Sequence, residues 1–307
     1  MYCYMLSDYL KAEFGEKIYK LTLSAGMTCP NRDGTCGDRG CIFCSRGGSG
    51  EFAQSALLPV SEQIGRAKAQ LSKKTSSGKY IAYFQPYSNT YESYEYLKEL
   101  YTPVVLREDV AILSIATRPD CINNKTIELI SELNSIKPVW VELGLQTIHQ
   151  STSDYIRRGY PLSVYIDAVS MLKKAGVKVI THLILGLPGE TKQDMIESAK
   201  FAGELSDGIK FHMLYVLSDT DLADEYLSGK FKMITRDEYI DTLCDCIRYI
   251  PKNVVIHRIT GDAEKESLIA PKWSLDKVKL LREIHNAFYD KNVIQGEYLK
   301  NNKRHLS

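Results

Sequence analysis

Short hydrophobic segments alternate with longer segments of helical periodicity along most of the chain. The short segments are rich in β-branched and aromatic residues, as buried strands are, and they cover residues 17–23, 80–84, 111–116, 139–145, 177–185, 209–216 and 254–259. The helical patterns cover residues 62–72, 92–101, 125–135, 164–175, 192–205, 237–249 and 275–288. Strands that alternate with helices predict a parallel sheet with right-handed crossovers.

The strand pattern narrows the fold class further. Residues 180–185 are apolar at nearly every position, which is typical of a strand covered on both faces. At least six β–α units predict an α/β fold, a partial (β/α)6 TIM-type barrel with a short N-terminal segment and a C-terminal extension. A doubly wound open sheet is the alternative, because the pattern alone does not distinguish the two. The alternation of predicted strands and helices ends near residue 253. We therefore predict the barrel over residues 1–252 and an extension, packed on the barrel, over residues 253–307.

Two of the predicted helices begin with a recognisable cap. Thr191 is followed three residues later by Asp194, and Thr235 by Glu238. In a capping box the threonine hydroxyl accepts from the backbone three residues on, and the acidic side chain accepts from the threonine backbone. This spacing predicts that helices start just after Thr191 and Thr235.

Composition excludes several classes of protein. The 307 residues include 39 Lys and Arg against 38 Asp and Glu, a formal net charge of +1, and 44% are hydrophobic. The chain is therefore not predicted to be disordered, and its total charge shows no strongly basic surface. Residues 1–11 lack the features of a signal peptide, and no apolar run reaches the roughly 20 residues of a membrane helix. We expect a cytoplasmic protein without a membrane segment, whose eight cysteines are reduced.

Four cysteines fall within sixteen residues in the glycine-rich loop of residues 24–50: Cys29, Cys36, Cys41 and Cys44. The loop has few apolar residues, so we expect a metal to order it. Four thiolates suit a structural zinc ion, whereas three suit an iron–sulfur cluster. Zinc sites usually repeat the short C-x2-C pair, which only Cys41 and Cys44 form here. The loop also follows the first predicted strand, at the end of a barrel where active sites lie. Both observations favour the cluster.

The ordered motifs of this chain resemble the radical S-adenosylmethionine (SAM) superfamily. The motifs are TCPNRDGT (28–35), GCIFCS (40–45), GSGEF (48–52), QPYSNTY (85–91), ATRPDC (116–121), ELGLQT (142–147), HLILGLPGET (182–191), KFH (210–212) and HRITGD (257–262). They are most similar to the YhcC/YtqA-type branch, which is related to the Elongator catalytic subunit and more distantly to oxygen-independent coproporphyrinogen oxidases. The eleven-residue gap between Cys29 and Cys41 is longer than the usual radical SAM gap and is a feature of this branch.

The resemblance implies a cofactor pair and a set of site residues. It implies that Cys29, Cys41 and Cys44 hold a [4Fe-4S] cluster, with Cys36 as a departure from the family motif. One iron then lacks a protein ligand and is chelated by SAM, whose reductive cleavage gives a radical that abstracts hydrogen from substrate. The residues implied to contact SAM are Gln85, Ser88, Asn89, Glu142, Gln146, Arg158, Ile184 and Gly186. Tyr160 stands where the family pattern has His, which leaves the role of that position open.

The substrate is less constrained than the cofactors. Elongator-type relatives act on the wobble uridine of tRNA, and YtqA-type members are associated with converting its carboxymethylaminomethyl side chain to aminomethyl. The resemblance thus implies tRNA as a partner, with a flavodoxin- or ferredoxin-type electron donor. The implied substrate-side residues are His182, His212, Arg258, Asp262, Lys272 and Trp273. Phosphate contacts are expected from Lys73, Lys74, Lys79, Arg157, Arg158, Lys291, Lys300, Lys303 and Arg304.

Two other functions stay open at this point. A radical SAM enzyme can instead act on a small molecule or a tetrapyrrole, because the fold and chemistry do not name a substrate. In a different class, the chain can be a non-catalytic iron–sulfur or zinc binding protein. Side chains for SAM that converge on the cluster distinguish an enzyme from an electron carrier, which has no use for them.

Overall fold

The computed structural model describes residues 2–48, 50, 52–72 and 78–299. The strands are β1 (Tyr19–Leu23), β2 (Tyr80–Phe84), β3 (Val110–Thr117), β4 (Val139–Gln146), β5 (Lys178–Leu185), β6 (Gly208–Met213), β7 (Val216–Leu217), β8 (Val255–Arg258) and β9 (Leu268–Ala270). The α-helices are α1 (Leu6–Phe14), α2 (Val60–Ser72), α3 (Tyr94–Val105), α4 (Asn124–Ile136), α5 (Gln150–Tyr155), α6 (Leu162–Lys174), α7 (Lys192–Leu205), α8 (Asp221–Leu227), α9 (Arg236–Arg248) and α10 (Lys277–Asp290). Two 3₁₀ turns cover Pro119–Cys121 and Lys272–Leu275.

Seven strands form one parallel sheet in the order β1-β2-β3-β4-β5-β6-β8. Neighbours in the sheet follow their order in the chain, whereas a doubly wound sheet reverses its order at a switch point. The sheet therefore curls into a partial TIM-type barrel, as predicted, and the doubly wound alternative is wrong. Strand β8 comes from the region predicted as the extension and is the seventh strand. Strands β7 and β9 pair separately as an antiparallel ribbon.

The two faces of the sheet carry different side chains because successive residues of a strand alternate between them. Outward residues such as Leu21, Phe84, Leu113 and Val141 are buried against the surrounding helices in the main core. Inward residues line the barrel. Burial on both faces explains why the strands have almost continuous apolar sequences.

Helix α1 closes the barrel at the amino ends of its strands. Leu10 of this helix is buried with Ile18, Ile81, Trp140 and Ile180, which lie at or near the starts of four strands. This apolar layer makes a floor for the barrel interior, so access is from the carboxyl ends of the strands. None of the described helices is both long and apolar enough to cross a membrane.

Three helices were not predicted from the sequence: α1, α5 and α8. Helices α5 and α8 have only six and seven residues, too few for a 3.6-residue period to show. Helix α1 has nine residues and no side-chain hydrogen bond at its N-cap, Met5, so it lacks a start signal. By contrast, both predicted capping boxes are present in full, at Thr191 with Asp194 and at Thr235 with Glu238.

We expect Thr191→Ala and Thr235→Ala each to lower the free energy of unfolding by about 1 kcal/mol, because each removes the acceptor for a backbone N–H at a helix start. Thr→Ser at either position keeps the hydroxyl and should recover most of that loss. Denaturant unfolding of the metal-free protein measures both effects. Equal stability of the alanine and serine variants would contradict the role of these caps.

Candidate active site

The inner face of the sheet and the loops at the carboxyl ends of its strands enclose a cleft of about 820 Å³. All seven strands contribute to its lining, and its volume is within the range of cofactor and ligand sites. Most of the site residues predicted from the sequence line it: Cys29, Cys41, Cys44, Gln85, Ser88, Glu142, Gln146, Arg158, His182, Ile184, His212, Arg258 and Asp262. The cleft is thus the candidate active site.

The cysteine loop, residues 24–50, is held by more protein contacts than its composition suggested. Asn31 donates from Nδ2 to the carbonyl of Arg157 at 2.5 Å, and Arg32 donates to the carbonyls of Cys44 and Ser45. A Cβ at Gly159 would lie 2.7 Å from Oδ1 of Asn31, so only glycine allows this close approach. Side-chain-to-backbone bonds therefore fix the loop in addition to the metal that its composition predicts.

Three of the four clustered cysteines lie at the cleft. Cys29, Cys41 and Cys44 are half-buried and line it, whereas Cys36 is exposed, with its Sγ 4.0 Å from Oδ2 of Asp120. Asn31 also donates from Nδ2 to Sγ of Cys41, at 3.4 Å. Cys29, Cys41 and Cys44, the three cysteines that the motif implied as ligands, are thus together at the cleft, and Cys36 is not.

The spacing of these thiols does not suit a single zinc ion. Tetrahedral Zn–S bonds of about 2.3 Å place sulfur atoms about 3.8 Å apart. The Sγ atoms of Cys29, Cys41 and Cys44 do not all lie within 4.8 Å of one another. A cluster, in which each thiolate binds a different iron, allows wider separations. Burial, and next the neighbouring Cys44, raise the pKa of Cys41 to about 12, so metal binding must displace its proton.

Two arginines beside the cysteines were missed as site residues, although both lie inside quoted motifs. Burial opposes the charge of Arg32, but the neighbouring Cys44 outweighs it and raises the arginine pKa. Arg118 donates to both carboxylate oxygens of Asp120, at 2.9 and 2.6 Å, and to the carbonyl of Arg158 at 2.8 Å. Both residues line the cleft, where their charge would stabilise thiolates that bind a metal.

The predicted SAM contacts at the end of β4 include an unusual backbone. Gln146 has φ of 68°, in the left-handed region that costs a non-glycine residue about 1–3 kcal/mol, at an irregularity in the β4–β5 register. Arg158 is buried, and its Nη1 donates to the carbonyls of Leu145 and Thr147 at 3.0 and 2.6 Å. Its Nη2 has no protein partner within the described residues. Arg158 is therefore fixed in place, and its Nη2 is buried.

Four predicted site residues are not part of the cleft lining: Asn89, Gly186, Lys272 and Trp273. Asn89 is buried, and its Nδ2 donates to the carbonyls of Pro86 and Ala116, so it fixes backbone beside the cleft. Gly186 lines a separate depression near α7 and α9. Lys272 donates to the carbonyl of Leu268, and Trp273 packs on Tyr239 with ring centroids 5.7 Å apart.

Both carboxylate oxygens of Glu142, a predicted SAM contact, are engaged by neighbouring side chains. Its Oε1 accepts from Ser114 at 2.7 Å and pairs with Lys20 at 3.1 Å. Its Oε2 accepts from Nε2 of His182 at 2.8 Å and pairs closely with Lys210. Burial opposes ionisation of Glu142, but Lys20 and Lys210 outweigh burial and hold its pKa well below the usual range. These partners hold Glu142 inside the barrel, and its contact with SAM stays a prediction.

Three histidines lie around this carboxylate in the barrel interior. Burial and Lys210 lower the pKa of His182 to about 4. Burial, followed by the charge of Arg258, lowers the pKa of His212, and burial with Lys20 lowers that of His257. All three rings are thus neutral near pH 7. Burial lowers the pKa of Lys210 well below its usual value, and the neighbouring Glu142 acts in the opposite direction.

The basic residues expected to contact phosphate are dispersed. Lys73, Lys74, Lys300, Lys303 and Arg304 lie outside the described residues. Arg157 pairs with Asp221 at 2.7 Å, and Lys291 pairs with Asp241. Lys79 precedes β2, at the opposite end of the strands from the cleft mouth.

Comparison with known families agrees with this geometry. The radical SAM superfamily model matches residues 33–202, more than half of the chain, and the radical SAM C-terminal domain model matches residues 206–290. The uncharacterized protein YtqA of Bacillus subtilis (strain 168) is 39% identical over 296 residues, which cover 96% of this chain and 92% of YtqA. These matches confirm the YhcC/YtqA-type resemblance.

More distant relatives share half of the chain or its fold. A tRNA uridine(34) acetyltransferase of Methanocaldococcus jannaschii is 31% identical over 157 residues, which cover 49% of this chain and 28% of that enzyme. The structure of archaeal Elp3 from Methanocaldococcus infernus, with an N-terminal deletion, superimposes with a TM-score of 0.68 at 21% identity. It covers 91% of this chain and 64% of the Elp3 chain, a likeness of fold. The chain belongs to the radical SAM superfamily, whose enzymes use a [4Fe-4S] cluster and S-adenosylmethionine.

Proposed function

We propose that this radical SAM enzyme modifies the wobble uridine of tRNA, converting a carboxymethylaminomethyl side chain to aminomethyl. The two carbons removed would leave as glyoxylate: the CH2 beside the carboxylate would lose a hydrogen atom to the radical from SAM and one electron to the oxidised cluster, and water would hydrolyse the resulting C=N bond. The observation that carries the proposal is the charge of the cleft. Its described lining holds seven basic residues (Lys20, Arg32, Arg118, Arg158, Lys210, Arg258 and Lys277) against three acidic ones (Glu142, Asp262 and Glu264). A cleft of this charge attracts an anionic substrate even though the whole chain carries only +1.

Two further features support a nucleotide of tRNA. Aromatic side chains of Phe43, Phe52 and Tyr87 line the cleft, and Phe52 is 53% exposed. Exposed rings offer stacking surfaces for a base turned out of a loop. The half of the chain that matches a tRNA uridine(34) acetyltransferase supports the wobble position as the target.

The cofactor residues follow from the site geometry. We assign Cys29, Cys41 and Cys44 as cluster ligands, and Gln85, Ser88, Gln146, Arg158 and Ile184 as SAM contacts. Arg158 lines the cleft, and guanidinium–carboxylate bonds are charge-assisted, which supports Arg158 as the partner of the SAM carboxylate. When bound, the cluster supplies the electron that cleaves SAM to the radical that abstracts hydrogen from substrate. The apolar floor under α1 closes the amino end of the barrel to solvent.

The same proposal extends to partners. A reduced flavodoxin or ferredoxin would supply the electron, and the cysteine loop at the cleft mouth is the nearest surface to the assigned ligands. Cytoplasmic tRNA as substrate would place the enzyme in the cytoplasm.

Anaerobic reconstitution with iron and sulfide should give about four irons per chain and dithionite-dependent 5′-deoxyadenosine formation from SAM. Cys44→Ala removes an assigned ligand, so we expect it to lose at least about 90% of 5′-deoxyadenosine formation. Cys36→Ala, the matched control in the same loop, should retain the iron and the activity.

Two outcomes would contradict this assignment. One is loss of iron from Cys36→Ala comparable to the loss from Cys44→Ala. The other is stoichiometric zinc bound by all four cysteines in protein isolated without oxygen, measured by elemental analysis.

Deletion of the gene should make tRNA accumulate carboxymethylaminomethyluridine at the wobble position at the expense of the aminomethyl form. Mass spectrometry of tRNA nucleosides measures the change. The wild-type gene should reverse it, and the Cys44→Ala gene should not. Unchanged nucleosides would contradict the tRNA substrate and favour a small-molecule or tetrapyrrole substrate.

A further inference from the structure

The barrel interior holds a charged layer below the loops that bear the cysteines. Lys20 projects from near the start of β1, and Glu142 and Lys210 project from the middle parts of β4 and β6, whereas the cysteine loop lies beyond the carboxyl end of β1. The Nζ atoms of Lys20 and Lys210 lie 4.7 and 4.2 Å from the ring centroid of Tyr83. This charged layer therefore forms the inner part of the cleft, between the cofactor end and the apolar floor under α1.

The cations of this layer differ in their access to the cleft. The side chain of Lys210 is 5% exposed, and it is bound to Glu142 and to the hydroxyl of Tyr83 at 3.0 Å. The side chains of Lys20 and Arg258 are 23% and 24% exposed. Lys210 is thus bound by protein groups, whereas the side chains of Lys20 and Arg258 are also partly exposed to the cleft.

The protein supplies too few carboxylates for these cations. One carboxylate, Glu142, is shared between Lys20 and Lys210. Arg258 pairs with Asp262 at the rim, and Asp262 also pairs with Lys277. An ammonium group has three donors, so a single bond to Glu142 leaves Lys20 with capacity for another acceptor. Cations in a confined interior are stabilised by an additional anion.

We propose that Lys20 and Arg258 bind a terminal carboxylate of the substrate, with Glu142 and Lys210 fixing the position of Lys20. The identity of the group that carries this carboxylate rests on the proposed function, in which the uridine side chain ends in one. A narrow side chain can enter the barrel interior to this depth, whereas an RNA backbone phosphate lies between two nucleotides and cannot. The SAM carboxylate is assigned to the level of Arg158, nearer the strand ends.

The test compares two anticodon stem-loop RNAs on the reconstituted full-length protein. They are identical except that the wobble side chain ends in a carboxylate or in its neutral primary amide. We expect wild-type kcat/KM to favour the carboxylate by about 100-fold, about tenfold for each of the two charge-assisted contacts. Lys20→Met and Arg258→Gln should each reduce that preference about tenfold, and Lys20→Arg and Arg258→Lys should recover part of it.

The variants are chosen so that the fold survives. Lys20→Met leaves Lys210 opposite Glu142, and Arg258→Gln leaves Lys277 opposite Asp262. Lys98→Met, which removes an exposed lysine paired with Glu132 outside the barrel, is the control and should match wild type. SAM affinity, measured by equilibrium binding, should stay within about twofold in all variants. A selective loss of SAM affinity in Lys20→Met would overturn the proposal.

A second measurement separates this proposal from the proposed function. Wild-type protein should broaden the resonance of ¹³C-carboxylate-labelled N-methylglycine, and Lys20→Met should not. If neither RNA is converted but this difference is seen, the tRNA function fails and the carboxylate site stands. If wild type converts both RNAs equally, the carboxylate site is overturned and the tRNA function stands. If neither RNA is converted and no broadening is seen, both are overturned.

Discussion

A single buried carboxylate connects most of the barrel. Glu142 on β4 is fully buried and is bound by Lys20 of β1, Ser114 of β3, His182 of β5 and Lys210 of β6. Removing one partner of a buried charge pair typically costs about 3–5 kcal/mol, because an uncompensated charge remains. Five of the seven strands thus depend on one another through this group, and their relative positions set the shape of the cleft above it.

The cleft divides into two levels. Thiols and arginines from loops occupy the upper level. There Asn31 joins the cysteine loop to the carbonyl of Arg157, and Arg32 bonds to the carbonyls of Cys44 and Ser45 within the loop. The charged layer with Glu142 occupies the lower level. Parallel strands explain this order, because their carboxyl ends share one rim while their middle residues project into the enclosed interior. Cofactor chemistry is assigned to the rim and substrate recognition to the interior.

Much of this architecture could be predicted from local sequence. All seven sheet strands and seven of the ten described helices correspond to predicted segments, because buried parallel strands and capped amphipathic helices leave strong local patterns. Most of the predicted site residues, the three cysteines among them, do line the cleft, since motifs at strand ends converge in a barrel. The charge balance of the cleft was not, because a net charge of +1 averages the cleft with an outer surface rich in both signs.

Predictions that depended on long-range partners were weaker. Alternation on β4 placed Glu142 on the inner face, but not at the depth where Lys20 and Lys210 meet it from 122 and 68 residues away. Asn89 and Trp273 are residue types common in binding sites. In the folded chain, however, Asn89 donates to the carbonyl of Ala116, and Trp273 packs on Tyr239. Residue type and periodicity predict which face of a strand a side chain lies on. Its depth in the barrel, and the partners that it binds there, depend on the assembled fold.

The central claim is that three thiols in this cleft hold a cluster with one iron open to SAM. Electron paramagnetic resonance of the reconstituted, dithionite-reduced protein tests this most directly, with spectra recorded before and after SAM is added. The account predicts a cluster signal whose g-values shift on SAM addition in wild type and in Cys36→Ala alike. A cluster signal that SAM leaves unchanged would contradict it, because every iron would then already have a protein ligand.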